Sequence, residues 1–160
     1  MEEAEDKSDF RDMLIWIKGM ELFDLASKIA DLIDDEDEIL SEYKRFLLED
    51  ASMISTKIAG AEGADIYDIR MECAAIVRKC ARELATHCSG LEIYGFKETQ
   101  YLTLIQEGVE EFRLLFIDWV ATFDPWNYII DRWGLFNPPG VGPFDHDPDD
   151  DIPFDASDLE

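Results

Sequence analysis

Cys73, Cys80 and His87 recur at intervals of seven along one apolar stripe. Soft ligands of this kind hold zinc or copper when several of them converge on one ion. Seven residues of helix are two turns, roughly 10 Å along the axis, so successive members cannot share an ion unless another helix supplies partners. Burial is the simpler reading, since free cysteine is among the most buried residue types, and His87 reads as a core histidine with a satisfied partner. Glu83 and His87 are four apart rather than three, and the pair has no second copy. The repeated Glu-x-x-His of di-iron bundles is therefore missing. Asp145, Asp147 and Asp149 open like a calcium loop, but Asp150 stands where Gly is needed and Ala156 where a bidentate Glu is needed. The sequence has no Gly-rich phosphate loop, nucleophile elbow or zinc spacing. With only two histidines, acid–base chemistry would fall to carboxylates indistinguishable from surface ones. The chain is expected to be non-enzymatic, with no cofactor and no metal.

Four amphipathic stretches must carry these residues, each repeating its apolar positions every three or four residues. The third is the clearest: Ile66, Ile69, Cys73, Ile76, Cys80, Leu84, His87, Leu91 and Tyr94 form its stripe, widened by Val77 and Cys88. The fourth runs Tyr101, Ile105, Gly108, Phe112, Leu115, Trp119, flanked by Val109, Phe116, Val120 and Phe123, and Pro125 stops it. The second places Leu40, Tyr43, Leu47, Ala51, Ile54 and Ile58 on one face, with Gly60 and Gly63 marking its end. In the first, about Phe10 to Ile33, the face of Met13, Trp16, Ile17 and Met20 does not align with that of Leu22, Leu25, Ile29 and Leu32. That stripe is expected to swing near Gly19, so the helix either bends or turns its first half towards another subunit.

The reading is an all-α fold, an up-down antiparallel four-helix bundle over residues 1–124 with an acidic lead at 1–9. Residues 125–143 form an aromatic and Pro-Gly segment packing on the bundle or on a neighbour. Trp126, Tyr128, Ile129, Ile130, Trp133, Leu135 and Phe136 crowd into it, too much apolar surface to leave in water without a purpose. It either covers its own bundle or serves as an aromatic anchor. Residues 144–160 read as an acidic, disordered tail. Trp16, Met20, Trp126, Tyr128, Ile129, Trp133 and Phe136 are the candidate protein-interaction residues.

The 160 residues hold 14 basic and 38 acidic side chains, a net charge of −24. Residues 134–160 contribute eight acids and no Lys or Arg, so most of the excess belongs to the bundle. Such a field repels phosphate backbones and anionic lipid, which argues against direct nucleic-acid binding. No 18-residue apolar run occurs. The start Met1-Glu2-Glu3-Ala4-Glu5-Asp6 is the opposite of a signal peptide, and the three cysteines stand too far apart on one helix for a disulfide. A cytoplasmic protein without membrane contact is expected.

The segment Trp16-Ile17-Lys18-Gly19-Met20-Glu21-Leu22 resembles the opening of the four-helix bundle proteins encoded in 23S rRNA intervening sequences, a group related to the accessory proteins of diversity-generating retroelements. Ile58-Ala59 with Glu62-Gly63 is similar to that family's Ile-Ala-Glu-Gly turn, and Glu83-Leu84-Ala85-Thr86 to its Glu-Leu-x-Thr segment. Here Gly60-Ala61 intervenes in the turn, and Asp65 and Asp68 stand where basic residues are expected. The resemblance spans residues 10–123. It implies a non-enzymatic, ring-like homo-oligomer, pentameric in relatives, that in some cases contacts nucleic acid through basic surfaces this chain lacks. Three roles stay open beside it: an adaptor for a basic protein partner, an acidic inhibitor or immunity-type nucleic-acid mimic, and an accessory factor in nucleic-acid processing. Adaptation to high salt would also account for the acid excess.

Overall fold

The computed structural model describes residues 9–147 and Asp151. A 3₁₀ turn at Phe10–Asp12 leads into α1 (Leu14–Asp31), followed by α2 (Glu38–Ala64), α3 (Tyr67–Ile93) and α4 (Thr99–Ala121). Each helix packs on its neighbours in sequence and α1 closes the square against α4. Among the described residues the fold is an all-α four-helix bundle without strands. No helix is long and apolar enough to cross a membrane. Most of the acidic tail, residues 148–150 and 152–160, lies outside the described residues.

The core is one cluster running the length of the bundle. Leu22, Ile29, Leu47, Ile54, Ile58, Leu84, Leu91, Ile105 and Phe112 are fully enclosed, and burial of each such side chain stabilises the fold by roughly 1.5–3 kcal/mol before entropy is counted. The expected swing in α1 does not occur. Ile15, Gly19, Leu22, Ala26 and Ile29 are buried along one unbroken line, because Gly19 is itself a core position: a Cβ there would lie 3.4 Å from Ile54. Trp16 and Met13 pack partly against the core, with the Phe10 ring edge-on to Trp16 at 4.9 Å. In α3 the stripe centre shifts from the expected line: Val77, Leu84, Cys88 and Leu91 are enclosed, whereas Ile69 and Tyr94 are exposed.

One helix end departs from the glycine stop expected of it. α2 runs past Gly60 and Gly63 to Ala64, and the left-handed residue that ends it is Asp65, at φ 54°. Asp tolerates that conformation better than most non-glycine residues, and the Asn127 side-chain amide donates to the Asp65 carbonyl. α3 ends at Gly95, φ 94°, after which the Phe96 amide donates 2.9 Å back to the Leu91 carbonyl and the Phe96 ring is buried. That six-to-one closure with its apolar contact is the Schellman arrangement.

Candidate interaction surface

Beyond α4 the chain folds back along the bundle rather than leaving it. The Tyr67 amide donates 2.9 Å to the Asn127 carbonyl, Ile130 and Pro138 are buried, and Phe136 lines a small cavity together with Met71, Ala74 and Ala75 of α3 and Phe116 and Val120 of α4. The segment is fixed at its root by a polar network. Glu62 Oε1 accepts from Arg70 Nη2 at 2.7 Å and from Trp119 Nε1 at 2.8 Å, while the Arg70 guanidinium covers the Phe123 ring at 4.1 Å.

Asp131 organises the next turn. Its carboxylate accepts from the amides of Trp133 at 2.9 Å and of Leu135 and Phe136, each at 2.8 Å. Asp131 and Asn137 also exchange two hydrogen bonds, the Asp131 amide donating at 2.8 Å and the Asn137 side-chain amide donating to the Asp131 carbonyl at 3.0 Å. Gly134 takes the left-handed conformation the turn requires, φ 73°. The amides at Phe136, Leu135 and Trp133 hold the Asp131 carboxyl below the usual aspartate range. Arg132 then donates to the carbonyls of Pro143 and Asp145. The turn is locked by its own backbone, yet Trp133 is 96% exposed and Leu135 73% exposed.

Trp133 and Leu135, with Ile69, Phe136, Asp68, Glu72 and Asp131, line a cleft of about 530 Å³ between the loop and the start of α3. Its wall is apolar and its rim carries three carboxylates, a chemistry suited to a lysine or arginine stem and head. The sequence expectations therefore divide. Trp126, Ile129 and Trp133 stand exposed, Tyr128 is partly buried, and Phe136 turns inward. Trp16 and Met20 are partly buried on α1, whereas the loop lies against α3 and α4. Asp131 and Leu135 were not among the sequence candidates. An Asp followed two to five residues later by a Gly-containing apolar run was the signal available for the turn.

A second cluster joins α2 to α3. Asp50, only 8% exposed, faces His87 with 3.0 Å between Oδ2 and Nδ1. The two atoms are not aligned for a hydrogen bond. Phe46 stacks on the His87 ring at 5.2 Å and Tyr43 meets it edge-on. Burial, helped by the Glu83 charge and opposed by His87, pushes the Asp50 carboxyl from 3.8 up to about 6. Burial likewise raises the Cys80 thiol to about 11 and Cys88 to about 12, so neither is a thiolate nucleophile near neutral pH. All three cysteines are free and buried. No group of three His, Cys, Asp or Glu among the described residues is placed to hold a metal ion.

Because the folded Asp50 pKa lies above its unfolded value, its protonated form favours the fold. That contribution is complete below about pH 4 and disappears as pH rises through about 6. Relative to Asp50→Asn, the wild type should lose about 2 kcal/mol of unfolding free energy between pH 4 and 7. Paired urea titrations across that range measure it, and a difference between the two proteins that stays flat with pH would contradict the assignment.

No protein-family model, curated protein or solved structure matches the chain.

Proposed function

We propose that the chain is a non-enzymatic protein-interaction bundle that self-associates through the Asp131–Asn137 loop. The observation that carries this reading is Trp133, almost wholly in solvent on a turn whose carboxylate clasp leaves it little freedom to lose on binding. Aromatic anchors held in this way are typical energetic centres of interfaces, and Trp126, Ile129 and Leu135 add exposed apolar surface on the same segment. The resemblance to the intervening-sequence bundle proteins supports the oligomeric part and makes a ring the expected form.

Light scattering on the full chain tests it. Wild type should show a multiple of the 18.4 kDa protomer mass, and Trp133→Ser with Leu135→Ser should shift it towards monomer. Asp131→Ala, which keeps the aromatics and removes the clasp, should weaken association by about tenfold. A wild type that stays monomeric at high concentration would overturn the reading. A second reading, docking of a basic protein, is favoured by the carboxylates at the cleft rim, Asp68, Glu72 and Asp131. Under it a Lys/Arg-rich peptide binds at low salt and Glu72→Gln weakens that binding. The same acidic cleft would serve an inhibitor that neutralises a basic enzyme.

A further inference from the structure

One stretch of surface runs against the charge of the rest. Between α3 and α4 lies an apolar groove of about 310 Å³ floored by Ala81, Val109, Phe112 and Phe116, with Arg78 and Arg82 on its rim. The groove continues, through Arg78 and Phe116, into the smaller cavity that Phe136 lines. The C-terminal segment thus already enters one end of the trough and leaves the other end open. Arg11, Arg45, Arg70 and Arg113 each pair with a carboxylate. Arg78 and Arg82, exposed and one turn apart, have no ion pair or side-chain hydrogen bond in the described structure. In a protein with 38 acids, two unpaired guanidiniums beside an apolar floor constitute a site for a segment that is both acidic and apolar.

We infer that the occupant is the chain's own C-terminal stretch, Pro148–Glu160, docking on its own bundle. Its sequence has six acids, no Lys or Arg, and large apolar side chains at Ile152, Phe154 and Leu159, which is the complement of the groove. Arg132 secures the carbonyls of Pro143 and Asp145 beside the loop, so the stretch starts on this side of the bundle. Thirteen residues reach about 45 Å when extended, while Ala75 to Arg82 spans about 11 Å of helix. On this inference Phe154 and Ile152 would fill the apolar floor and Asp155 and Asp158 would pair with Arg78 and Arg82, while Asp151 keeps its contact with His146 Nε2 at 2.9 Å. Because the stretch is tethered at an effective concentration near the millimolar range, weak contacts hold it. Salt releases it, because exposed ion pairs are screened within a Debye length. The site is separate from the Trp133 loop and does not depend on self-association.

The test uses the full chain carrying Ser157→Cys with a nitroxide on the new thiol, the native cysteines being buried and their thiols protonated. Methyl resonances of Val109 and Ile117 should broaden at low salt in dilute protein. The broadening should fall at least fivefold in 0.5 M salt, in Arg78→Glu with Arg82→Glu, and in Ile152→Ser with Phe154→Ser. Both arginines are exposed, so folding of the first variant is checked by circular dichroism, and the salt series stands without it. Wild type without broadening, or broadening unchanged by either pair of substitutions, overturns the inference. So does broadening that appears only between molecules, in a mixture of nitroxide-bearing and isotope-bearing protein.

Discussion

Replacing Arg70 with Ala should lower the unfolding free energy by about 3 kcal/mol. The guanidinium is the charge partner of Glu62 at 2.7 Å, and the two side chains are only 12% and 23% exposed. Without it, Glu62 is left in a largely enclosed place with the Trp119 indole as its remaining donor, and the Phe123 ring loses the cation stacked at 4.1 Å. Much of the loss is the cost of an uncompensated carboxylate rather than the worth of the pair. The double variant Glu62→Gln, Arg70→Met should therefore recover most of it. Urea unfolding of the four corners of that cycle measures the coupling. A single-variant loss below 1 kcal/mol would show that the pair is solvated and of little weight, as surface pairs usually are.

Phe112→Ala should cost about 4 kcal/mol, the range for deleting a buried aromatic ring. Phe112 is 1% exposed and packs with Phe116 at 6.5 Å between ring centres. It also forms the floor of the α3–α4 groove, so the vacated space opens into that groove instead of remaining a sealed cavity. The vacated space should take up a small aromatic probe such as benzene, and saturating probe should restore part of the lost stability. A loss smaller than 2 kcal/mol, with no effect of the probe, would mean that the neighbouring helices close over the gap.

The bundle was legible because its signal is a repeat. Leu47, Ala51, Ile54 and Ile58 in α2 and Ile105, Gly108, Phe112 and Trp119 in α4 are buried along the lines their spacing marks out. Where the spacing misled, the cause was side-chain size. Gly19 adds nothing to an apolar stripe, yet it is a point where α1 comes close to its neighbours, a Cβ there meeting Ile54 at 3.4 Å. Counting it as core straightens α1. Gly90 belongs to the same group, since the Tyr43 ring occupies the volume its Cβ would need.

The candidate surface was only partly legible. Aromatic crowding after Pro125 marked the segment, but which rings turn inward depends on the Asp131 turn, and so on three backbone amides that hydropathy does not register. Asp50 gave no sign of burial because its partner His87 lies 37 positions away on the facing helix. Arg78 and Arg82 looked like ordinary exposed positions of α3. What distinguishes them is that no carboxylate among the described residues pairs with them, which the packing of α4 decides.

The network at the root of the C-terminal segment also sets an order of events during synthesis. Arg70 and Glu62 are eight residues apart, so their ion pair can form once the turn between α2 and α3 has emerged from the ribosome. The indole that completes it, Trp119, follows Glu62 by 57 residues, and Asn127 follows Asp65 by 62. At about 5–20 residues per second, the α2–α3 hairpin waits several seconds with its acidic turn uncovered. During that interval the growing chain holds its two longest helices without the ring and amide that later seal their end.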